Sequence, residues 1–126
     1  MKKLLIIFTL TSLISCSTTK SGTQEIATDS TYGYSKENPI KVGGNTNGPA
    51  NEQKFLSSLS GPNGEELWYK RSGSCCSFET RNSSFGMGML DVYKVTYEGK
   101  KDTLTLYFNM YDKVKPKAPL GLKFKK

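Results

Sequence analysis

Apolar residues gather along this chain in three arrangements, and each predicts a different element. Residues 4–13 form a nearly continuous apolar block, broken only by Thr9, Thr11 and Ser12. Near the middle, Phe55, Leu56 and Leu59 recur at helical spacing and give one apolar stripe suited to packing on a sheet. Towards the end, 89–97 and 103–111 alternate with period two. Leu104, Leu106, Phe108 and Met110 share one face of the later segment, and Thr105, Tyr107, Asn109 and Tyr111 share the other. In the earlier segment Leu90 and Val92 oppose Tyr93, Val95 and Tyr97. The linker Glu98-Gly99-Lys100-Lys101 makes the pair a long antiparallel hairpin.

The punctuation between these segments completes the fold. Asn47 or Gly48 caps the helix, Pro49 suits its first position, and Glu52 complements the positive end of its dipole. Gly61 and Pro62 mark its end. Ile40 and Val42 alternate behind Pro39, which predicts a short edge strand over 38–42, and 43–48 is a loop by composition. After the turn Pro62-Asn63-Gly64, a strand over 66–72 sets Leu67, Tyr69 and Arg71 against Trp68 and Lys70. Pro116 and Pro119 leave the tail irregular or ending in a short edge strand at 122–124. The sum is an α+β domain over 32–126, with a mainly antiparallel sheet of three to five strands and one helix against it.

The first apolar block is too short for a permanent transmembrane helix, which needs about 20 apolar residues. Lys2 and Lys3 precede it, and it runs into Leu13-Ile14-Ser15-Cys16. That ending resembles the lipobox of bacterial lipoproteins, which implies a signal peptide over 1–15, alkylation of the Cys16 thiol by a diacylglyceryl group bearing palmitate-like chains, and cleavage just before Cys16. More than one acyl chain is needed for stable anchoring, since each buried CH₂ contributes about 0.8 kcal/mol. Residues 17–31 are mostly Ser, Thr, Gly, Lys and Gln and read as a flexible tether reaching about 20 Å. Cys16 is followed by Ser17, Thr18, Thr19, Lys20 and Ser21, with no acid before Glu25. In a Gram-negative envelope this points to an outer-membrane lipoprotein facing the periplasm.

Charge narrows the partners. From Cys16 onward, 16 Lys and Arg stand against 11 acids, a net charge of +5. Residues 113–126 hold Lys113, Lys115, Lys117, Lys123, Lys125 and Lys126 and no acid. On a membrane-tethered domain this suits anionic lipid headgroups or an anionic envelope polymer; a solvated, frayed terminus accounts for it equally well. Nucleic acid is not an expected partner in this compartment. Tyr93, Tyr97, Tyr107 and Tyr111 offer a second binding surface if they form an exposed stripe on the hairpin, although cross-strand packing also explains them.

The chain has no histidine. Ser-His and Cys-His nucleophile pairs, His-based metal sites and an imidazole base are therefore excluded. No carboxylate pair stands out, because Glu65-Glu66 falls where side chains point apart. The adjacent Cys75 and Cys76 would meet an oxidising compartment. Neighbouring Cα atoms lie about 3.8 Å apart, below the usual disulfide minimum of about 4.4 Å, so a bond between them is strained and suits a redox or switch site. Two free thiols and an intermolecular bridge remain as alternatives. Met87 and Met89 could join these cysteines in a soft Cu(I) site, but Met89 and Met110 lie in strands with core-like alternation and are more simply filler, and two cysteines cannot close a zinc shell. No metal or cofactor is expected.

Five stretches carry a wider resemblance: residues 32–44, Gly48-Pro49-Ala50-Asn51-Glu52, Gly73-Ser74-Cys75-Cys76, Leu90-Asp91-Val92-Tyr93, and residues 106–112. They resemble a group of small Gram-negative lipoproteins of uncharacterised activity, some labelled 2-dehydro-3-deoxyphosphooctonate aldolase. That aldolase resembles a TIM barrel of about 250 residues, which the roughly 95 residues from Tyr32 onward cannot form, and no catalytic motif carries over. The sequence therefore predicts a non-enzymatic envelope lipoprotein that binds another envelope protein or an anionic surface. The alternatives are a redox-responsive module built on Cys75 and Cys76, or a small enzyme.

Overall fold

Residues 23–44 and 47–126 are described here from a computed structural model. The predicted signal peptide, Cys16 and the first tether residues lie outside them. Six strands and one helix follow in the order β1 (Ile40–Lys41), α1 (Gly48–Ser57), β2 (Leu59–Ser60), β3 (Leu67–Glu79), β4 (Met87–Tyr97), β5 (Leu104–Asn109) and β6 (Lys123–Phe124). Four strands make one sheet in the order β1-β5-β4-β3, and β2 pairs with β6 in a small second sheet. All pairings are antiparallel except β1 with β5. The predicted α+β class and single helix are observed.

The helix begins where its sequence allows. The Asn47 side chain accepts from the Ala50 amide, and Pro49 occupies the first turn, where a missing N–H costs nothing. It ends sooner than Gly61 and Pro62 imply: Ser58 is the C-cap, and Leu59–Ser60 leave as a strand. The strand forms because the tail returns to pair with it, Leu59 opposite Phe124.

Phe55 and Leu56 press the helix onto one face of the four-stranded sheet, where Ile40, Val95, Leu106 and Phe108 are buried. Aromatic edges lock this layer, with Tyr93 and Phe108 rings 5.3 Å apart and Phe55 6.0 Å from both Phe108 and Phe124. Among the described residues, no helix covers the opposite face. There Trp68 lies opposite Thr96 and Lys70 opposite Lys94, and Trp68 is 59 % exposed.

Both ends of the domain are more ordered than their composition implies. The predicted tether is shorter than 17–31, because Ile26 bridges Ala118 and Ala27 is buried. The Ala27 amide donates to Ala118 O at 2.8 Å, and the Ala118 amide donates to Glu25 O at 2.9 Å. The tail is likewise built in: Ala118 and Leu122 are fully buried. Every member of the hydrophobic core and its flanking shell lies between Tyr32 and Phe124.

Candidate functional site

The structure assembles a buried acid cluster where helix and sheet meet. Glu52 stands three and four positions before Phe55 and Leu56, so it shares their inward face. It is fully buried rather than serving as a solvated partner of the helix dipole. The Tyr93 hydroxyl donates to Glu52 Oε2 at 3.1 Å, while Oε1 meets no well-aligned hydrogen-bond partner among the described residues. Burial, reinforced by the nearby Asp91 carboxylate, pushes Glu52 up to about 8, so its carboxyl is neutral at pH 7. Asp91, 2 % exposed, is paired instead: Arg71 Nη2 donates to its Oδ1 at 2.9 Å and Ser74 Oγ donates to the same oxygen at 3.0 Å. Burial, followed by the Glu52 charge, pushes the Tyr93 hydroxyl well above its ordinary range.

A buried carboxyl kept neutral beside a second carboxyl is a common basis for acid-base chemistry. Here, however, Glu52, Asp91 and Tyr93 line none of four surface clefts formed by the described residues. The cluster ties α1 to β3 and β4, with Arg71 and Ser74 at its solvent edge. Its members come from three elements, so sequence spacing could not pair them. The one available signal was the position of Glu52 on the apolar stripe of the helix.

The adjacent cysteines occupy an arm. Beyond Asp91, β3 and β4 continue without β5 as a two-stranded ribbon ending near Phe85, which is 91 % exposed. Cys75 and Cys76 are joined by a disulfide. The ladder slips between Arg71 and Gly73 and again between Cys75 and Ser77, leaving Ser72 and Cys76 as the extra residues of two bulges. Cys76 adopts a left-handed backbone with φ 59°, a conformation that β-carbon-bearing residues rarely take. Cys75 pairs with Leu90, whereas Met89 pairs with Ser77 and Met87 with Glu79, so Cys75 and the two methionines lie on opposite faces. The Cys–Met grouping considered for Cu(I) is not brought together; Met87 is exposed, and Met89 is exposed rather than core filler. At the arm's tip, a cleft of about 650 Å³ includes Asp112, whose carboxylate accepts from Thr80 at 2.6 Å and Asn82 at 2.9 Å. These bonds, Thr80's foremost, hold Asp112 below the usual carboxylate range.

The expected tyrosine stripe is not formed. Tyr93 lies opposite Leu106 and is buried in the core, while Tyr107 lies opposite Val92 on the other face. Tyr97 packs against the core, and Tyr111 sets its ring on Phe78, 5.8 Å between centroids.

The six tail lysines divide into two groups. Lys123, Lys125 and Lys126 line a cleft with Ser60, Asn63 and Glu66, where Lys125 pairs with Glu66 at 3.0 Å. Lys113, Lys115 and Lys117 lie elsewhere. Lys115 and Lys117 share a small cleft with Lys41, Tyr32 and Pro39, while Lys113 shares a larger one with Lys54 and Phe55. Val114 borders both clefts. The described chain starts beside this group, where Lys115 Nζ donates to Thr23 O at 3.0 Å and Lys117 pairs with Glu25 at 3.2 Å.

These features define a small α+β domain with a bridged two-stranded arm, an internal acid cluster and a basic face beside its N-terminal segment. Comparison of the chain with protein-family models, with curated proteins and with solved structures found no match. Among the described residues, no group of three or more His, Cys, Asp or Glu side chains is placed to hold a metal ion, and no helix is long and apolar enough to cross a membrane.

Proposed function

We propose that this protein is a lipid-anchored envelope lipoprotein, attached through Cys16, whose domain is a non-enzymatic binding module for an anionic surface. The observation that carries this reading is the meeting of Thr23 with the lysine-rich segment 113–117. Six residues lie between Cys16 and Thr23, so the two are joined by a span of at most about 25 Å when extended. An anchor at Cys16 would therefore keep Lys41 and Lys115 near the headgroups. Each lysine close to an anionic bilayer contributes about 1 kcal/mol. The outer membrane, facing the periplasm, is the proposed location.

Vesicle co-sedimentation of the chain from Ser17 onward tests this reading without the anchor. Binding to vesicles containing anionic lipid should fall at least tenfold for K41Q/K115Q and disappear in high salt. Equal binding to zwitterionic vesicles, or binding indifferent to those substitutions, would sink it.

A second reading, supported by the bonded Cys75 and Cys76, is a thiol-exchange module. A partner dithiol would supply two electrons and two protons, leaving Cys75 and Cys76 as thiols and itself a disulfide. Mass spectrometry after alkylation without reductant should find neither cysteine modified at monomer mass. Two alkylations, or a doubled mass that falls on reduction, would remove this reading.

A further inference from the structure

The larger cleft on the basic face combines features of a small-molecule site. It encloses about 360 Å³ between one flank of α1 and the segment 113–116, with Val42, Gly43 and Gly44 as its floor. This volume falls within the range of about 300–1,000 Å³ found for ligand pockets. The floor is firmly held. The Val42 amide donates to Asn109 O at 3.0 Å, and the Gly43 amide donates to Asp112 O at 2.8 Å. Gly43 lies so close to the Tyr111 carbonyl that no β-carbon would fit.

Its chemistry is one-sided. Val42, Phe55, Val114 and Pro116 supply apolar surface, and Lys54 and Lys113 supply the only charges; no Asp or Glu lines the cleft. Neither lysine forms a salt bridge among the described residues, whereas Lys117 and Lys125 do. The Lys113 stem lies over Gly44, which adopts φ 109°, and a β-carbon there would strike that stem. The neighbouring polar side chains are turned inward, since Asn51 Nδ2 donates to Val42 O at 3.0 Å and Ser58 Oγ donates to Phe55 O. What remains for a visitor is an apolar trough with two unneutralised cations.

We infer that this cleft binds an amphiphilic carboxylate of medium chain length, its hydrocarbon seated between Phe55, Val114 and Pro116 and its carboxylate held by Lys54 and Lys113. The complementarity is of charge and of size: a chain of about ten carbons fits the volume, and a bulky double-chain lipid does not. The site does not depend on the lipid anchor, nor on the surface attraction attributed to Lys41 and Lys115.

Sodium decanoate, kept below its micellar concentration, is the probe. Titrated into the ¹⁵N-labelled chain from Ser17 onward, which contains the whole hydrophobic core, it should give saturable amide shifts confined to 42–44, 51–58 and 113–116. K54Q/K113Q should weaken this binding at least tenfold while leaving the melting transition unchanged, because both side chains are exposed. Decanol should bind more weakly than decanoate, and decyltrimethylammonium more weakly still. A response without saturation, shifts spread over every lysine-bearing face, or full affinity in K54Q/K113Q would overturn the inference. K41Q/K115Q provides the separation: it should lose anionic-vesicle binding and keep decanoate binding.

Discussion

Glu52 shows how one residue can satisfy a local rule and serve another purpose. At the start of a helix an acid ordinarily faces water and offsets the dipole. Here the next turn places Phe55 and Leu56 on the same face, and burying that face carries the carboxyl with it. Its proton then becomes part of the fold's stability. The folded protein keeps this proton up to about pH 8, whereas the unfolded chain releases it near 4.5. Between those values the unfolded state binds fewer protons, so stability is fullest below 4.5 and falls as pH rises, by up to about 1.4 kcal/mol per pH unit. E52Q keeps the shape and removes the titration. Denaturant unfolding should therefore show a decline from pH 5 to 8 in the native chain and a nearly flat profile in E52Q. An equal decline in both would exclude Glu52 as its cause. The position of Glu52 on the helix face was legible in the sequence, but its partners Tyr93 and Asp91 were not.

Among the elements, the hairpin β4–β5 was the most legible, because an uninterrupted period of two leaves a single way to bury Tyr93, Val95, Leu106 and Phe108 together. The same reading left open whether the tyrosines form one stripe. Face assignment within a strand follows from alternation, but which faces of two strands coincide depends on register, and Tyr93 pairs with Leu106 rather than Tyr107. Strand β3 was read only to 72, since Gly73-Ser74-Cys75-Cys76 has low strand propensity and the bulges at Ser72 and Cys76 reset its alternation twice. The second bulge carries a testable cost. A residue with a β-carbon at φ 59° is disfavoured relative to glycine by about 1 kcal/mol. With the disulfide removed, C75S/C76G should accordingly unfold at higher denaturant than C75S/C76S. The reverse order would mean that the disulfide, rather than the strand pairing, imposes this backbone.

For the whole molecule, the decisive contact joins the two ends of the described chain. Residues 23–27 lie along 115–118 and complete the burial of Ala27 and Ala118. Deleting everything through Ala27 removes two backbone hydrogen bonds and the Glu25–Lys117 pair. Hydrogen bonds of this kind contribute about 1 kcal/mol each, and an exposed ion pair adds little. The deletion should lower unfolding stability by about 2 kcal/mol and expose the 118 amide to rapid hydrogen exchange. Unchanged protection at 118 would show that the tail holds its place unaided.

Composition and patterning alone determined that this chain makes one small α+β domain, that it has a basic tail, and that it lacks any histidine-based chemistry. Those properties depend on residue identity and on periods of two and 3.6, which are local. Tertiary structure alone decided that a helix-face glutamate meets an aspartate from β4, that the lysines divide between separate clefts, and that the tail and the N-terminal segment pair. Each of these joins residues far apart in the chain. Their contacts depend on strand register and on which segment returns to cover the core, and neither is written in the spacing of side chains.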